Sequence, residues 1–350
     1  MTTADSGPGP ARLRRAVPLR TRQRLVGARD RVLGPPAVPL RDALPVAVDG
    51  RHNAFPHAVR LPSGSVLAAW RHSSGHLRAD GVVQVARSDD DGATWTPPTT
   101  LVGTTDLRDP SMTVLSDGRV LLSAFDFDGE RSTGVQVRLS TDGGAAFGPP
   151  VPVPDAWSGW TAVSGPAVEL PGGDLLLALY GREPGERPGT RLVRSLDGGA
   201  TWQHDGELLS GTLTDDDQLE PWLLDIGDRL VCLLRSGTTV VRRLESSDGG
   251  RTWTPAAALF RSHSRVSAGV LADGHSVAVY RSVRDRSVVA RWSTDGWRSW
   301  GPELPVHDGG LGTYAGVVDA PDGAALAIYA LESRDRSVGH VLARVLSRPV

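Results

Sequence analysis

A short turn-like segment occurs five times in this chain of 350 residues, each time with Ser at its first position, Asp at its third and an aromatic residue at its eighth. The copies read SDDDGATW, STDGGAAF, SLDGGATW, SSDGGRTW and STDGWRSW and begin at residues 88, 140, 195, 246 and 293. A period near fifty residues is typical of propellers and solenoids, whose units bury their apolar faces against one another. In each copy the Asp can accept backbone hydrogen bonds, the glycines permit positive φ, and the aromatic ring is predicted to pack between neighbouring sheets.

A second repeat lies between these segments and consists of an apolar run broken by a turn that contains Gly. It begins near residues 61, 115, 170, 224, 271 and 320. Each copy is typical of a tight hairpin between short buried strands. Six hairpins predict an all-β fold, a six-bladed β-propeller. The sixth unit lacks the turn-like segment, so we expect residues 38–48 to supply its outer strand and close the ring.

The composition limits the domains and the partners. Residues 1–36 are rich in Pro, Gly and Arg without periodicity, which predicts a disordered tail before a propeller of residues 37–350. A net charge of −2 favours neither nucleic acid nor a membrane surface as a partner. No apolar stretch approaches 20 residues and no secretory signal is recognisable, so a cytoplasmic location is expected.

The motif inventory predicts no cofactor. The single Cys232 lies in an apolar run and is expected to be a small buried hydrophobe, which excludes an internal disulfide. The chain holds no H-E-x-x-H, P-loop or paired-Cys motif. His52, His72 and His76 fall near one predicted rim, but solvated or hydrogen-bonded histidines are the ordinary case, so no metal is expected.

Strand direction predicts which residues surround one mouth of the central channel. If the first strand of each blade runs from the top to the bottom, the second strand returns to the top, where a ligand site is expected. The residues before first strands are His52, Asn53, Arg108, Asp109, Ser164, Glu220, Ser267 and Tyr314; those after second strands are Arg71, His72, Asp126, Arg182, Arg235, Arg281 and Glu332; a loop of the first blade adds His76 and Asp80.

Several of these rim residues are arginines. Arg235 and Arg281 end their strands on adjacent blades, and Arg71 or Arg108 can approach from the opposite side. Converging guanidinium groups suit a carboxylate ligand, because the planar fork offers paired N–H donors. The alternative is a structural network in which the arginines pair with the carboxylates of the same rim.

Tyr314 is the only one of the four tyrosines that opens a first strand. A phenol with a pKa near 10 is a poor nucleophile unless a neighbouring carboxylate takes its proton, and Glu220 is the candidate for that role. The alternative is a ring that only packs at the mouth.

The repeated segments resemble the Asp boxes of the sialidase superfamily over about residues 46–350, and the rim residues follow the order of a sialidase site. That order is Glu220, Arg235, Arg281, Tyr314 and Glu332, which would be the Glu partner, two Arg of a triad, the Tyr nucleophile and the Glu that steadies the first Arg. The resemblance implies that Tyr314 attacks the anomeric carbon with help from Glu220, while Asp80 protonates the leaving oxygen and later activates water.

One element of the sialidase pattern is missing from this chain. The first Arg of the family stands in an R-I-P segment, which here reads Ala54-Phe55-Pro56, so we expect Arg71 or Arg108 to take its place. The segments HNAF, DLRDPS and TYAG are similar to those of a divergent sialidase-like group, which makes His52, Asn53 and Asp109 candidate ligand contacts.

The resulting prediction is a glycoside hydrolase that removes a terminal acidic sugar, sialic acid or a similar one, with retention through a glycosyl-tyrosine. Its partner is a glycan or glycoconjugate. Two alternative functions use a ligand site at the same mouth of the central channel. One is a glycosidase of neutral glycans that uses paired carboxylates, Glu220 with Asp109 or Asp80. The other is a propeller that binds glycan or protein without catalysis.

Overall fold

The computed structural model describes residues 43–308 and 311–349, and nearly all of their regular structure is β-strand. The predicted tail of residues 1–36 lies outside the described residues. The one α-helix among them, α1 (Gly211–Thr214), is a single turn, and a 3-10 turn covers Pro321–Gly323. No helix of the described part is long and apolar enough to cross a membrane.

The strands are short and follow the predicted hairpins. They are β1 (Leu44–Ala47), β2 (His52–Arg60), β3 (Val66–Ser73), β4 (Val82–Ser88), β5 (Thr99–Leu101), β6 (Asp106–Val114), β7 (Val120–Phe127), β8 (Ser132–Ser140), β9 (Val151–Val153), β10 (Trp160–Val163), β11 (Val168–Glu169), β12 (Leu175–Arg182), β13 (Gly189–Ser195), β14 (Gln203–Leu209), β15 (Gln218–Asp225), β16 (Leu230–Ser236), β17 (Val240–Ser246), β18 (Ala257–Arg261), β19 (Ser267–Val270), β20 (Ser276–Arg281), β21 (Val288–Ser293), β22 (Leu304–His307), β23 (Leu311–Asp319), β24 (Ala325–Glu332) and β25 (Gly339–Leu346).

Hydrogen bonding groups these strands into antiparallel meanders. Strands β6–β9, β15–β18 and β19–β22 form three four-stranded sheets, and β10–β14 form a five-stranded one. The eight-stranded sheet combines β23-β24-β25-β1 with β2-β3-β4-β5, and a single parallel pair, His52 with Gly339, connects the two halves. The described residues therefore show a propeller-like arrangement with five hydrogen-bonded sheets, where the sequence predicted six separate ones, because this one pair merges the first and last meanders.

An N-terminal strand completes the last meander. Leu44 pairs with Ala343 and Pro45 with Leu342, so β1 adds to β25 in antiparallel orientation. This confirms the expected outer strand for Leu44–Ala47, while residues 38–42 lie outside the described part. Because β25 is covered on that side, the last meander presents no free edge there.

The Ser-x-Asp segments form the predicted turns. In the first copy, Asp90 accepts hydrogen bonds from the backbone N–H of Thr94 at 2.8 Å and from its hydroxyl at 2.6 Å. The Ser88 hydroxyl accepts a bond from Gly92 N–H and donates one to Asp90, each at 2.8 Å. The closing ring, Trp95, packs against a core shared by β2–β4 with β24 and β25. These residues are therefore structural.

Apolar clusters join each meander to the next. Six of them link meanders that follow one another around the ring, and one of these contains Cys232, which is fully buried as predicted. The cluster that contains Trp70 of β3 and Ile328 of β24 connects the first meander to the last. The units thus bury their apolar faces against their neighbours all the way around, which is the packing expected of a propeller.

Bulges in the first strands direct side chains toward the centre of the ring. The pairing register shifts within β2, β6, β15 and β23. Phe55, Asp109 and Glu220 lie at three of these shifts with positive φ of 56°, 49° and 49°, and each precedes a proline. Proline cannot donate to the ladder, so the bulge is where a strand tolerates it.

Candidate functional site

In every meander, the residue at one equivalent position of the repeat lies at the centre of the ring. It lies nine residues before the hairpin glycine in five units and seven residues before Gly227 in the unit whose turn is shorter. Its occupants are Phe55, Asp109, Ser164, Glu220, Arg265 and Tyr314. Contacts between units far apart in sequence link these side chains, as the following distances show.

Tyr314 and Glu220 form the central pair. The Tyr314 hydroxyl donates a hydrogen bond to Glu220 Oε1 at 2.5 Å, and the same oxygen accepts a second bond from Arg235 NH1 at 2.8 Å. The other oxygen, Glu220 Oε2, is buried and has no hydrogen-bond partner among the described residues. Phe55 covers the Tyr314 ring, with centroids 5.1 Å apart.

The electrostatics of this pair keep the phenol neutral and the carboxyl ionised. Burial raises the pKa of Tyr314 well above 10, and the negative charges of Glu220 and Asp109 raise it further. Burial also raises the pKa of Glu220, but the charge of Arg235 and the hydrogen bond from Tyr314 outweigh it, so this pKa lies below its usual value. Glu220 is therefore a charged acceptor poised at the phenol proton.

Arg265 lies beneath this pair and was not predicted from the sequence. Its guanidinium is fully buried, 4.3 Å from the centroid of the Tyr314 ring and 4.7 Å from that of Trp222. It donates to the Ser164 hydroxyl at 2.9 Å and to the Ser164 carbonyl oxygen. The spacing from the hairpin glycine is the signal that would have identified it, since Arg265 precedes Gly274 by the same nine residues as Tyr314 precedes Gly323.

Asp109 adds a second buried carboxyl group to the centre. It accepts a hydrogen bond from the Ser164 hydroxyl at 3.0 Å. Burial raises the pKa of Asp109 to about 6; the positive charge of Arg265 opposes this shift and the negative charge of Glu220 adds to it. At neutral pH the Asp109 carboxyl group is therefore ionised, although its buried position favours the protonated form.

A cavity of about 260 Å³ opens above these residues. Its charged lining residues are Arg108, Arg235, Arg281, Arg336, Asp109 and Glu220. Four guanidinium groups against two carboxyl groups give the lining an excess of positive charge. Tyr314, Tyr180 and His76 complete much of the wall. The volume and the charge suit a small anionic ligand.

Arg71 and Arg108 are committed to the buried carboxylate of Asp106. Arg71 is fully buried and donates to both Asp106 oxygens, at 2.6 and 2.8 Å. Arg108 Nε donates to Asp106 Oδ2 at 2.6 Å, and its NH2 donates to the carbonyl oxygen of His76 at 2.7 Å. Arg71 is not among the cavity-lining residues, whereas Arg108 contributes part of the wall.

Glu332 lies behind the cavity wall with two histidines. Its Oε1 is 2.9 Å from His52 Nε2 and 2.8 Å from His76 Nδ1, and these contacts hold its pKa below the usual range against the effect of burial. The remaining ring nitrogens face Arg71 and Arg336, which can only donate, so both histidines donate to Glu332. The three ligand-type atoms lie within 4.8 Å of one another and are already hydrogen-bonded among themselves, while Glu332 Oε2 is buried with no hydrogen-bond partner among the described residues.

Two other predicted site residues lie away from the cavity wall. Asn53 is fully buried, and its side chain bonds Asp49, Trp70 and His72. Asp80 is exposed in the loop between β3 and β4, where it accepts a bond from Ser74 N–H at 3.2 Å. The structure therefore brings together Glu220, Arg235, Arg281, Tyr314, Arg108 and Asp109, and not Arg71, His52, Asn53, Asp80 or Glu332.

Comparison with known families agrees with this architecture. A family model described as a BNR repeat-like domain matches residues 64–328, which is more than half of the chain. The chain belongs to the BNR repeat-like domain family. All five Ser-x-Asp segments of this BNR repeat-like protein lie within the matched residues. No curated protein matches the sequence.

Solved structures similar to this BNR repeat-like protein include sialidases. A Dyadobacter fermentans protein of unknown function is 20% identical with a TM-score of 0.77, covering 88% of this chain and 98% of its own. The NanB sialidase from Streptococcus pneumoniae is 14% identical with a TM-score of 0.69, covering 87% and 70%. The Trypanosoma rangeli sialidase in complex with sialic acid is 18% identical with a TM-score of 0.64; this chain spans 57% of its length, and 87% of this chain is covered. At these identities the likeness shows a shared sialidase-type fold.

Proposed function

We propose that this protein is a retaining exo-glycoside hydrolase of the sialidase type, which removes a terminal acidic sugar, sialic acid or a similar one, from a glycan or glycoconjugate. The observation that carries the proposal is the hydrogen bond of 2.5 Å between Tyr314 and Glu220, in a cavity that Arg235 and Arg281 also line. A nucleophile, its proton acceptor and two cations meet at one small cavity.

The proposed reaction uses Tyr314 and Glu220 of the cavity together with Asp80 of the adjoining loop. The Tyr314 oxygen attacks the anomeric carbon while its proton passes to Glu220, and the bond to the leaving oxygen breaks as that oxygen receives a proton from Asp80. In the second step Asp80 takes a proton from water, the water oxygen displaces Tyr314, and the phenolic oxygen recovers its proton from Glu220. Retention results from two displacements at the same carbon.

Asp80 is assigned as the acid and base because its loop borders the cavity. His76 of the same loop lines the wall, four residues earlier in the chain. In the free protein, burial by itself would raise the pKa of Asp80, but the hydrogen bonds with Ser74 and the positive charges of Arg71 and Arg51 together outweigh it and lower this pKa. A sugar bound over the loop would remove water from this carboxyl and raise its pKa, which favours the protonated form required in the first step.

A neutral tyrosine nucleophile suits an acidic substrate. A carboxylate nucleophile would repel the carboxylate of the sugar, whereas Tyr314 carries no charge before it attacks. The positive excess of the cavity lining supports the same substrate class, and sialic acid is bound by the Trypanosoma rangeli sialidase, which shares this fold.

The same proposal includes six blades in a propeller of residues 37–350. The eight-stranded sheet then consists of two blades joined by the single pair of His52 and Gly339, and the six apolar clusters are the six interfaces between blades. A cytoplasmic location stays a prediction from the sequence.

Hydrolysis of a fluorogenic sialoside by the purified protein tests the proposal. We expect turnover by the wild type and by Tyr329→Phe, a control because the Tyr329 hydroxyl contacts His307 away from the cavity. We expect no turnover by Tyr314→Phe, with thermal unfolding nearly unchanged. Full activity of Tyr314→Phe would exclude a glycosyl-tyrosine.

A glycosidase of neutral glycans is the second candidate, and the environment of Asp109 favours it. A carboxyl group with a pKa of about 6 in the cavity wall can act as a general acid, with Glu220 as the second carboxylate. Activity on neutral glycosides alone, lost in Asp109→Asn, would support this candidate. Binding of glycans without turnover of any glycoside would instead indicate a non-catalytic propeller.

A further inference from the structure

Arg336 lines the cavity although the sequence analysis did not select it. It lies in the loop between β24 and β25 and adopts a positive φ of 56°. Two other arginines of the wall, Arg235 and Arg281, come from the ends of β16 and β20. Three consecutive meanders thus each contribute one guanidinium group to this cavity.

These three guanidinium groups keep donors that the described residues do not use. Arg281 donates through Nε to the Gly312 carbonyl oxygen, and Arg235 donates through NH1 to Glu220. Arg336 has NH1 at 3.3 Å from His76 Nε2 and Nε at 3.7 Å from Glu332 Oε2. Among the described residues, the remaining terminal nitrogens of the three groups have no ion pair within hydrogen-bond distance.

The other arginines near the cavity use most of their donors within the protein, although the buried Nε of Arg265 has no hydrogen-bond partner among the described residues. Arg71 holds Asp106 with two bonds, Arg108 shares that carboxylate and binds backbone carbonyl oxygens, and Arg265 is fully buried against Ser164. Neither Arg71 nor Arg108, the two arginines expected from the sequence, therefore has a free pair of N–H donors for a ligand carboxylate.

The free guanidinium groups repel one another in the absence of a ligand. Burial lowers the pKa of Arg281, and the positive charges of Arg336 and Arg235 contribute to the shift, although Glu332 and Tyr314 oppose it. Like charges collected in a partly dry cavity are costly unless an anion binds between them. Glu332 restrains Arg336 from behind and does not enter the cavity wall.

We propose that Arg336 is the third guanidinium of a clamp with Arg235 and Arg281, and that this clamp binds the carboxylate of the acidic sugar. This inference rests on the proposed function and assigns the specificity-determining residue that the Ala54-Phe55-Pro56 segment lacks. Glu332 and His76 are positioning residues for Arg336, because both contact its guanidinium group.

The test is calorimetric titration of the purified full-length protein with N-acetylneuraminic acid and with its methyl ester, which lacks the charge. We expect Arg336→Gln to weaken binding of the acid about tenfold, the low end for a charge-assisted hydrogen bond because this side chain is 41% exposed. Binding of the ester should change less than twofold, and Arg336→Lys should recover part of the loss. Arg334→Gln, in the same loop but exposed and outside the cavity wall, is the matched control.

The outcomes separate the clamp from the proposed function. If the wild type binds the acid and Arg336→Gln binds it as tightly as Arg334→Gln does, the clamp is wrong while the sialidase proposal stands. If the wild type binds glucuronic or galacturonic acid instead, and Arg336→Gln loses that affinity, the clamp stands and the sugar assignment fails. If the wild type binds none of these acids, both are wrong.

Discussion

Asp109 provides a test of the site that does not depend on turnover. Its carboxyl group is 5% exposed and its pKa is raised from 3.8 to about 6, with burial as the main cause. Between these two pH values the native state binds this proton and the unfolded state does not, so this group lowers stability as pH rises through the range. Above about pH 6 the loss is complete.

The size of the effect follows from the shift. At about 1.4 kcal/mol per pKa unit, a rise from 3.8 to about 6 corresponds to about 3 kcal/mol of unfolding free energy at pH 7. The variant Asp109→Asn stands in for the protonated carboxyl, and its side-chain oxygen can still accept the Ser164 hydroxyl. We therefore expect it to be more stable than the wild type by up to about 3 kcal/mol at pH 7, with the difference vanishing near pH 4.

Urea unfolding of both proteins at intervals from pH 4 to pH 8 measures this difference. Asp155→Asn is the control, because Asp155 is exposed and its replacement should change stability little at any pH. A difference that does not vary with pH, or an Asp109→Asn variant less stable than the wild type at pH 8, would refute the electrostatic description of the site. A gain in stability would also show that the fold gives up stability to keep a charged carboxyl there.

Three further results are expected. Glu220→Gln removes the proton acceptor and should lower the initial rate of sialoside hydrolysis by about 10²- to 10⁴-fold; an unchanged rate would exclude Glu220 as the base. Asp80→Ala should abolish turnover while the thermal unfolding midpoint stays nearly constant, because this side chain is exposed; retained turnover would remove it from the mechanism. Burial lowers the pKa of His57 from 6.5 to about 3, so the stability that it contributes as a neutral side chain above pH 6.5 is lost as pH falls toward 3, at about 1.4 kcal/mol per pH unit. His57→Asn should show a shallower decline in urea unfolding between pH 6.5 and pH 4, and equal slopes would contradict this.

Much of the architecture was predictable because it depends on local patterns that repeat. The Ser-x-Asp turns and the glycine hairpins each specify their own backbone, and their period indicated a ring of antiparallel meanders. Strand direction within such meanders is determined once the hairpins are known. Glu220, Arg235, Arg281 and Tyr314 could therefore be assigned to one face before any side chain was placed, and the structure brings these four to one cavity.

The partners of the charged side chains were not predictable in this way. Strand ends brought Arg71 and Arg108 near the mouth, but the buried Asp106, which the sequence analysis did not select, binds both of them. Arg265 reaches the centre from the segment that precedes β19, and Arg336 reaches the cavity wall from the loop between β24 and β25.

The sequence alone thus determined the repeat, the direction of the strands and the face on which the site lies, because turn chemistry and hydrophobic patterning act over a few neighbouring residues. Only the tertiary structure decided which guanidinium groups keep free donors. That outcome depends on the distances between side chains from different meanders, and a long flexible arginine can reach several carboxylates from one backbone position.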